Sequence, residues 1–446
     1  MEPVDLAVEE ALRGGAEQAE ALTMEAHSLT LTAERWELKK ASASTVKGLA
    51  VRVYSRRRLA TAYTSSLDPS SVSEAAKRAV KQLKASLEDE SLEGFPQPST
   101  YPRVDGLWDE ETAQLSLEDA ARLVEEALKA SRIDDRLASI NASLTLHRRK
   151  ITLANSLGVE ASFKDTWARA DVEASAKEAD NYASGYQPKW TRSVKELSLT
   201  EASIQAAQEA LEGLKAKKVK TQELPLILTG LALHMVVSSI ATALDAELIL
   251  HGRSFLTGRL GESVASPLIT LVDDATAPGE VKSRPFDAEG TPSRRVALIE
   301  DGVLKSLLHN HYTSRKMKAE PTGHAARNGG YSYVGRVGIA PTNLILEPRG
   351  SGGVEKLASE AGRALVMKAT FDRPNLASGD LSAIVMSGYI VEGGSIAYPV
   401  KQAAVSVNLL DLLRRTVAVG GEPEAVLNVK APPIMVEGVK VAGTAI

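Results

Sequence analysis

The chain has 446 residues, of which 43% are hydrophobic and 25% charged, so it can bury substantial cores and is not a disordered protein. Its formal net charge of −4 gives no overall attraction to nucleic acid or to anionic lipid. The complete absence of cysteine excludes disulfides, thiol nucleophiles, iron–sulfur clusters and Cys-bound zinc. At ordinary domain sizes, this length predicts roughly two or three domains.

Apolar periodicity in the N-terminal half predicts the order helix, strands, helix twice. The first group is a helix within 3–22, strands at 28–36, 48–54 and 59–63, and a helix from 68 to about 87. The second group is a helix at 116–131, strands at 139–147, 150–155, 159–164 and 168–176, and a helix at 200–215. This order suggests two similar α+β halves.

A charge run at 215–220 precedes an uncharged stretch at 224–244. That stretch is long enough to span a bilayer, but Pro225, Gly230 and His234 interrupt it and no aromatic belt accompanies it. We therefore expect a buried strand at 224–229 and a buried helix at about 231–246. The acidic start of the chain lacks the basic region of a secretory signal, so we expect a cytoplasmic protein that does not bind membranes.

Glycine turns and strand-like segments dominate the rest of the chain. The expected elements are helices at 353–370 and 409–417 and strands at 383–392, 395–399 and 403–408. The predicted fold class is therefore α+β. We expect an N-terminal α+β domain over 1–215 and a mostly antiparallel β domain with one buried helix over 216–446.

The residues that could carry chemistry are few. His309 and His311 would share one face of a strand, and a metal site there would need a third ligand such as His324 or Asp287. The acidic pair Asp273-Asp274 and the segment 287–290 could supply a general acid and base, although carboxylates beside turns more often cap them. No phosphate-binding loop, dinucleotide fingerprint or Gly-x-Ser-x-Gly motif is present.

An ordered series of segments resembles the TldD/PmbA family along nearly the whole chain. The segments are 48–53, 59–68, 75–80, 254–261, 271–274, 286–294, 322–327, 341–343 and 388–400. Each piece is short, but together they occur in the family's order. The resemblance implies a two-domain fold and a link to peptide hydrolysis.

The active TldD member of that family is a zinc peptidase with a His-Glu-x-x-x-His helix and a C-terminal cysteine ligand. The corresponding segment here, 233–239, keeps only His234, with Met235 at the Glu position and Ser239 at the second His position. One imidazole cannot hold a catalytic zinc, and methionine cannot act as a base. We therefore expect no catalytic residue, metal ligand or cofactor in this chain, and a core role for His234.

The resemblance thus points to a TldE/PmbA-like subunit that pairs with a zinc-bearing TldD-like catalytic subunit and helps to enclose an unfolded or extended peptide. Alone, such a chain would form a homodimer, because the two subunits share one fold. Family names that refer to DNA gyrase suggest DNA partners, but the sequence offers no basic groove for nucleic acid. Two alternatives stay open: an autonomous hydrolase with a site around His309, His311, His324 and Asp287, and a homodimeric peptide-binding protein without an enzymatic partner.

Overall fold

A computed structural model describes residues 1–443 and places one six-stranded antiparallel sheet in the N-terminal half. Its elements are α1 (Pro3–Arg13), β1 (Gln18–Glu34), β2 (Glu37–Ser55), β3 (Arg58–Thr64), α2 (Pro69–Leu83), α3 (Glu110–Gln114), α4 (Leu117–Ala130), β4 (Leu137–Asn155), β5 (Glu160–Glu178), β6 (Asn181–Thr191) and α5 (Leu199–Gly213). A short 3₁₀ turn at Lys195–Leu197 precedes α5.

The strand order β3-β2-β1-β4-β5-β6 is built from two similar halves. β1 and β4 pair antiparallel at the centre, and each begins a meander that runs outward to one edge. Helices α1 and α2 cover the first half and bury a core rich in Ala and Val, whereas α4 and α5 cover the second half and bury a core rich in Ala and Leu. The two groups of elements expected from the sequence therefore lie side by side in one sheet.

Several predicted elements differ in length from those in the structure. α1 ends at Arg13 because Gly14 and Gly15 follow, the latter at a φ of 99°. The chain then enters β1, where residues that continue the helical pattern lie in a strand. β4 and β5 each join two predicted strands into one, and β6 was not predicted.

The C-terminal half contains many short strands and few helices. Its elements are β7 (Lys217–Lys218), β8 (Gln222–Leu228), α6 (Gly230–Ala243), α7 (Ala246–Leu250), β9 (Leu271–Asp274), β10 (Arg295–Glu300), β11 (Val303–Leu304), α8 (His311–Met317), β12 (Ala325–Arg327), β13 (Val337–Ile339), β14 (Leu344–Leu346), α9 (Val354–Ala361), β15 (Arg363–Ala369), β16 (Asp380–Ile384), β17 (Ser387–Glu392), β18 (Ser395–Lys401), β19 (Ala404–Asn408), α10 (Leu409–Arg414), β20 (Thr416–Val419), β21 (Glu424–Val426), β22 (Val429–Ala431) and β23 (Ile434–Ala442).

Two sheets organise this half. The larger runs β16-β19-β23-β8-β15-β17-β18-β7, with β20 also paired to β23, and the smaller runs β11-β10-β9-β14-β22-β21. α6 packs against β15 of the larger sheet and against β14, β21 and β22 of the smaller one. A helix enclosed in this way is apolar around its whole circumference, which explains the uncharged stretch in the sequence.

The helix expected at 353–370 is wrong as a single element. Gly362, at a φ of 67°, separates α9 from β15, which is a central strand of the larger sheet. Both periodic patterns exist, but the glycine divides them. With mixed helices and largely antiparallel sheets, the α+β fold class is confirmed.

Across residues 1–443, no helix combines the length and the hydrophobicity that crossing a membrane requires. The strands of the N-terminal sheet, which ends at Thr191, pair only with one another among the described residues. The domain limits 1–215 and 216–446 stay a prediction, with which this pairing is compatible.

Candidate functional site

The degenerate motif of residues 233–239 lies in the first turns of α6. The strand β8 leads directly into this helix through Thr229 and Gly230. Gly230 has a φ of +55°, and a Cβ atom there would lie 3.0 Å from the carbonyl oxygen of Lys368. A glycine is therefore required where β8 turns sharply into the helix beside β15.

His234 is 8% exposed and uses both ring nitrogens within the protein. Its Nδ1 lies 3.0 Å from the carbonyl oxygen of Val426, to which the Nδ1–H donates, and Nε2 lies 3.5 Å from the Ser238 hydroxyl. Burial lowers the pKa of His234 to about 4, so the ring is neutral at physiological pH. These contacts fit the core histidine that the sequence predicts, although its role stays a prediction.

The two positions where the family motif has Glu and His carry side chains without acid–base function. Ser239 donates its hydroxyl to the carbonyl oxygen of Met235 at 2.7 Å, a bond within the helix itself. Met235 is half-buried and offers a thioether, which zinc rarely selects in proteins.

A cleft of about 530 Å³ lies beside the segment at 425–427, which His234 contacts. Ala425 and Leu427 line this cleft and flank Val426, whose carbonyl oxygen accepts the hydrogen bond from His234. The opposite wall comes from β6 and from the loop at 278–281. Other lining residues include Trp108, Trp190, Arg192 and Glu280.

A second cavity, of about 380 Å³, lies between β6, α5 and the ends of β15 and β17. Tyr186 and Phe371 meet edge to face there, with ring centroids 5.3 Å apart, and Met386 lines the same space. Glu209 at its margin accepts hydrogen bonds from Lys368 Nζ at 2.8 Å and from Gln187 Nε2 at 2.9 Å. The cavity can hold an apolar side chain next to polar partners.

Neither cavity could be identified from the sequence, because each is assembled from segments that are far apart in the chain. Trp190 and Tyr186 belong to β6, the strand that the sequence pattern missed. The aromatic residues of this strand are visible in the sequence, but they do not indicate which loops lie opposite.

His309 and His311 do not share a strand face, which corrects the expectation from the sequence. Asn310 caps α8, and His311 is the first residue of that helix. His309 Nδ1 contacts the Thr313 hydroxyl at 3.2 Å, whereas the His311 backbone N–H donates to Glu289 Oε2 at 2.8 Å. The ring of His309 and the backbone of His311 therefore contribute to the start of a helix.

His324 and Asp287 also have separate partners. His324 Nε2 lies 3.1 Å from Asp273 Oδ1, with both side chains fully buried. Asp287 accepts hydrogen bonds from the backbone N–H groups of Glu289, Thr291 and Ala325, at 2.9, 3.0 and 2.9 Å. Burial and the nearby charge of Glu289 raise the pKa of Asp287. This carboxylate organises a turn, the role that carboxylates beside turns more often have.

A buried charge network joins the two halves of the protein. Arg52 Nη1 of β2 lies 3.1 Å from Glu20 Oε1 of β1 and 2.8 Å from Glu289 Oε1. Arg327 Nη2 approaches the same Glu20 oxygen at 3.6 Å. Burial and the charge of Arg52 lower the pKa of Arg327 to about 10. No sequence pattern indicates this network, which connects positions up to 307 residues apart (20 and 327).

The residues on α6 do not fit a zinc ion. Zinc in proteins takes three or four donors from His, Cys, Asp and Glu, and this helix segment offers only His234, whose Nδ1 is directed at Val426. Within residues 1–443, His, Asp and Glu nowhere form a group of three that could hold a metal.

Models of the PmbA/TldA metallopeptidase domains match three consecutive segments: domain 1 over 19–83, the central domain over 110–217 and the C-terminal domain over 221–443. The chain is similar to the metalloprotease PmbA homolog of Haemophilus influenzae, with 25% identity over 99% of this chain and 95% of that protein. It is 24% identical to the metalloprotease PmbA of Escherichia coli O157:H7, over 96% of this chain and 93% of the relative.

Two solved structures resemble it over nearly their whole length. The TldE structure from Thermococcus kodakarensis has a TM-score of 0.90 at 21% identity and covers 99% of this chain and 100% of its own, a likeness of fold. A Thermotoga maritima structure, described as a candidate modulator of a DNA gyrase, has a TM-score of 0.88 at 26% identity, covering 98% and 99%.

Proposed function

Because the chain belongs to the PmbA/TldD metallopeptidase family, we propose that it is a TldE-like subunit without its own catalytic centre. It would act in the cytoplasm with a TldD-like subunit that carries the zinc, and together they would cleave unfolded or extended peptides. Several relatives carry the name metalloprotease, including a TldD homolog of Buchnera aphidicola, so peptide hydrolysis is the chemistry to test.

One observation carries this proposal: Met235 and Ser239 stand where the family motif has its base and second imidazole. Activating a zinc-bound water needs a carboxylate beside the metal, and holding the metal needs at least three donors. A thioether and a hydroxyl bonded within the helix provide neither. The fold is kept while this chemistry is missing, which is typical of a subunit whose partner performs the reaction.

The contribution proposed for this chain is to hold the peptide. The N-terminal sheet presents a face with Ser and Thr side chains, including the pair Thr30–Thr145 with hydroxyl oxygens 3.2 Å apart. The cleft lined by Ala425 and Leu427 and the cavity around Phe371 lie between this sheet and the C-terminal half. Polar groups suit a peptide backbone, and the apolar cavity suits a side chain.

The test is co-expression with a TldD-like protein that has the His-Glu-x-x-x-His motif, followed by a peptide-cleavage assay on the purified complex. We expect the pair to co-purify and to cleave an unstructured peptide, whereas this chain alone should not. Replacing the motif Glu of the partner by Gln should abolish cleavage. Replacing His234 by Gln in this chain should leave cleavage largely intact, since no reacting group is removed.

Peptide cleavage by this chain alone, together with one tightly held zinc per chain, would contradict the proposal and favour the autonomous hydrolase. Zinc content measured after dialysis against a metal buffer gives the second readout. A stable homodimer that captures peptides but never associates with a TldD-like chain would favour the third candidate, a peptide-binding protein.

A further inference from the structure

The strand β2 has an open edge. It pairs with β1 along its whole length, but β3 covers its other side only from Leu49 to Ser55. Over 37–48, which we call the β2 edge, no strand of residues 1–443 lies on the outer side. Most residues of the β2 edge are exposed. Open backbone groups of this kind pair readily with another strand.

The hairpin between β2 and β3 determines which backbone groups are open. Arg56 and Arg57 have φ values of 50° and 59°, as in a two-residue type I′ turn, so Ser55 and Arg58 bond to each other. Odd-numbered residues of β2 thus direct N–H and C=O towards β3. Tyr54, an even residue, accepts from the Glu17 N–H on the other side. Beyond the end of β3, residues 41, 43, 45 and 47 direct these groups to solvent.

The side chains along the β2 edge do little to prevent pairing. Residues 41–46 read Ala-Ser-Ala-Ser-Thr-Val, without charge, proline or large groups. The usual protective charges, Lys39, Lys40 and Lys47, lie on either side of this uncharged core. The one register irregularity of the β1–β2 ladder lies between Thr32 and Ala33, so the ladder is regular from Lys40 onward.

We propose that the β2 edge pairs antiparallel with the β2 edge of a second copy of this chain, about a twofold axis at Ser42. In this register the β2 edge of each copy, from the β1–β2 turn to the point where β3 begins to pair with β2, is paired with the other copy. It also brings Glu37 of each copy beside Lys47 of the other and places Lys40 opposite Ser44. Centring the pair on Ala43 instead would set Lys39 against Lys47, a like-charge contact. Charge therefore favours the Ser42 register.

The consequence is one continuous sheet formed from the N-terminal sheets of two copies. A twofold axis perpendicular to the sheet leaves equivalent faces on the same side. The hydroxyl-bearing faces of both copies, with Ser28, Thr30 and Ser44, would form a single surface. This interface is independent of the proposed peptidase role, and either can fail without the other.

The first experiment measures the mass of the purified full chain by light scattering over a wide range of concentrations. We expect a dimer, and a monomer for Ala43→Pro, which removes an outward N–H that β1 does not use. Thermal unfolding of this variant should show that the monomer stays folded. A wild-type chain that is monomeric throughout, or an unchanged dimer in Ala43→Pro, would overturn the proposal.

Two matched variants test the register. Ser42→Glu sets two carboxylates opposite each other at the axis and should weaken the dimer, by about fivefold in dissociation constant. Ser44→Glu faces Lys40 of the other copy and should tighten the dimer by a similar factor. Equal effects of the two variants would contradict the register centred on Ser42.

Amide hydrogen exchange gives a readout that needs no variant. Raising the protein concentration should slow exchange at residues 41, 43 and 45, whereas residues 42 and 44, already bonded to β1, should change little. If the chain stays monomeric and exchange at these residues slows only when an extended peptide is added, a peptide and not a second copy pairs with the β2 edge. That result would overturn the proposal.

Discussion

Arg52 and Glu289 meet inside the protein, with Arg52 Nη1 2.8 Å from Glu289 Oε1 and side chains only 8% and 2% exposed. Arg52 belongs to the N-terminal sheet and Glu289 to the loop before β10. The same guanidinium nitrogen also contacts Glu20, so one cation is shared by two buried carboxylates. The two halves therefore contact each other through a charge that is almost fully buried.

Replacing Arg52 by Met should destabilise the protein strongly. Two carboxylates would stay buried with less compensating charge, and breaking a buried ion pair costs about 3–5 kcal/mol. Urea unfolding of wild type and variant measures the difference. Arg13→Met is the control, because that arginine is 69% exposed and its ion pairs contribute little. Equal losses for the two variants would contradict a special role of the buried network.

His234 should make the protein sensitive to acid. Its pKa falls from 6.5 to about 4 on folding, because burial disfavours the charged ring. Between these two values the unfolded chain binds the additional proton, so the contribution of His234 to stability is lost as pH falls from about 6.5 to 4. The His234→Gln variant lacks this loss. Its stability relative to wild type should rise on acidification by up to about 1.4 kcal/mol per pH unit.

Urea unfolding at a series of pH values measures this difference, and His147→Gln gives a parallel case. Burial likewise lowers the pKa of His147 to about 4, while the ring stacks on Trp167 at 4.5 Å. If the difference in the free energy of unfolding between variant and wild type does not change with pH, the histidine ring is protonated equally in the folded and unfolded states, which would contradict the prediction.

Gly48 is expected to resist substitution because the Tyr333 ring lies where a side chain would begin. A Cβ atom at this position would be 2.5 Å from the ring. Gly48→Ala should displace the segment that carries Tyr333 and reduce the free energy of unfolding by about 1–3 kcal/mol. Gly338→Ala is the matched control, since a methyl group at that position would have no atom within 4 Å beyond its chain neighbours. Thermal unfolding of both variants measures the difference, and equal losses of stability would contradict the prediction.

Restoring the motif should not restore an enzyme. In the double variant Met235→Glu and Ser239→His, two imidazoles and a carboxylate would line α6, but the chain has no cysteine to complete the family's ligand set. The enclosing helix surface is apolar, which disfavours an incompletely liganded ion. Elemental analysis should find no stoichiometric zinc, and the peptide-cleavage assay no activity. A tightly bound zinc would show that ligands come from elsewhere in the chain.

Local sequence signals predict the structure well where a single side chain fixes the outcome. The sequence predicts helices that begin at 68 and 116, and Asp68 and Ser116 cap α2 and α4 at these points, accepting from backbone N–H groups at 2.9 and 3.1 Å. The uncharged stretch beginning at 224 likewise becomes β8 and α6.

What could not be predicted depends on contacts between distant segments. The Ala-rich start of β1 has no strand-like alternation because helices cover one side and the C-terminal half covers the other. The buried position of Arg52 depends on Glu289, a residue far along the chain. Sequence periodicity does not indicate such a distant partner, so neither the two cavities nor the charge network could be predicted from the sequence.

The position of β23 has a consequence for the synthesis of the protein. This strand, Ile434–Ala442, lies between β8 and β19 in the interior of the larger sheet, although more than 200 residues separate it from β8. While the ribosome is still adding those residues, β8 and β19 have no strand between them, whereas the N-terminal sheet can already close. A nascent chain should therefore carry a folded N-terminal half beside an open, apolar C-terminal half, which makes chaperone contact most important until β23 has been synthesised.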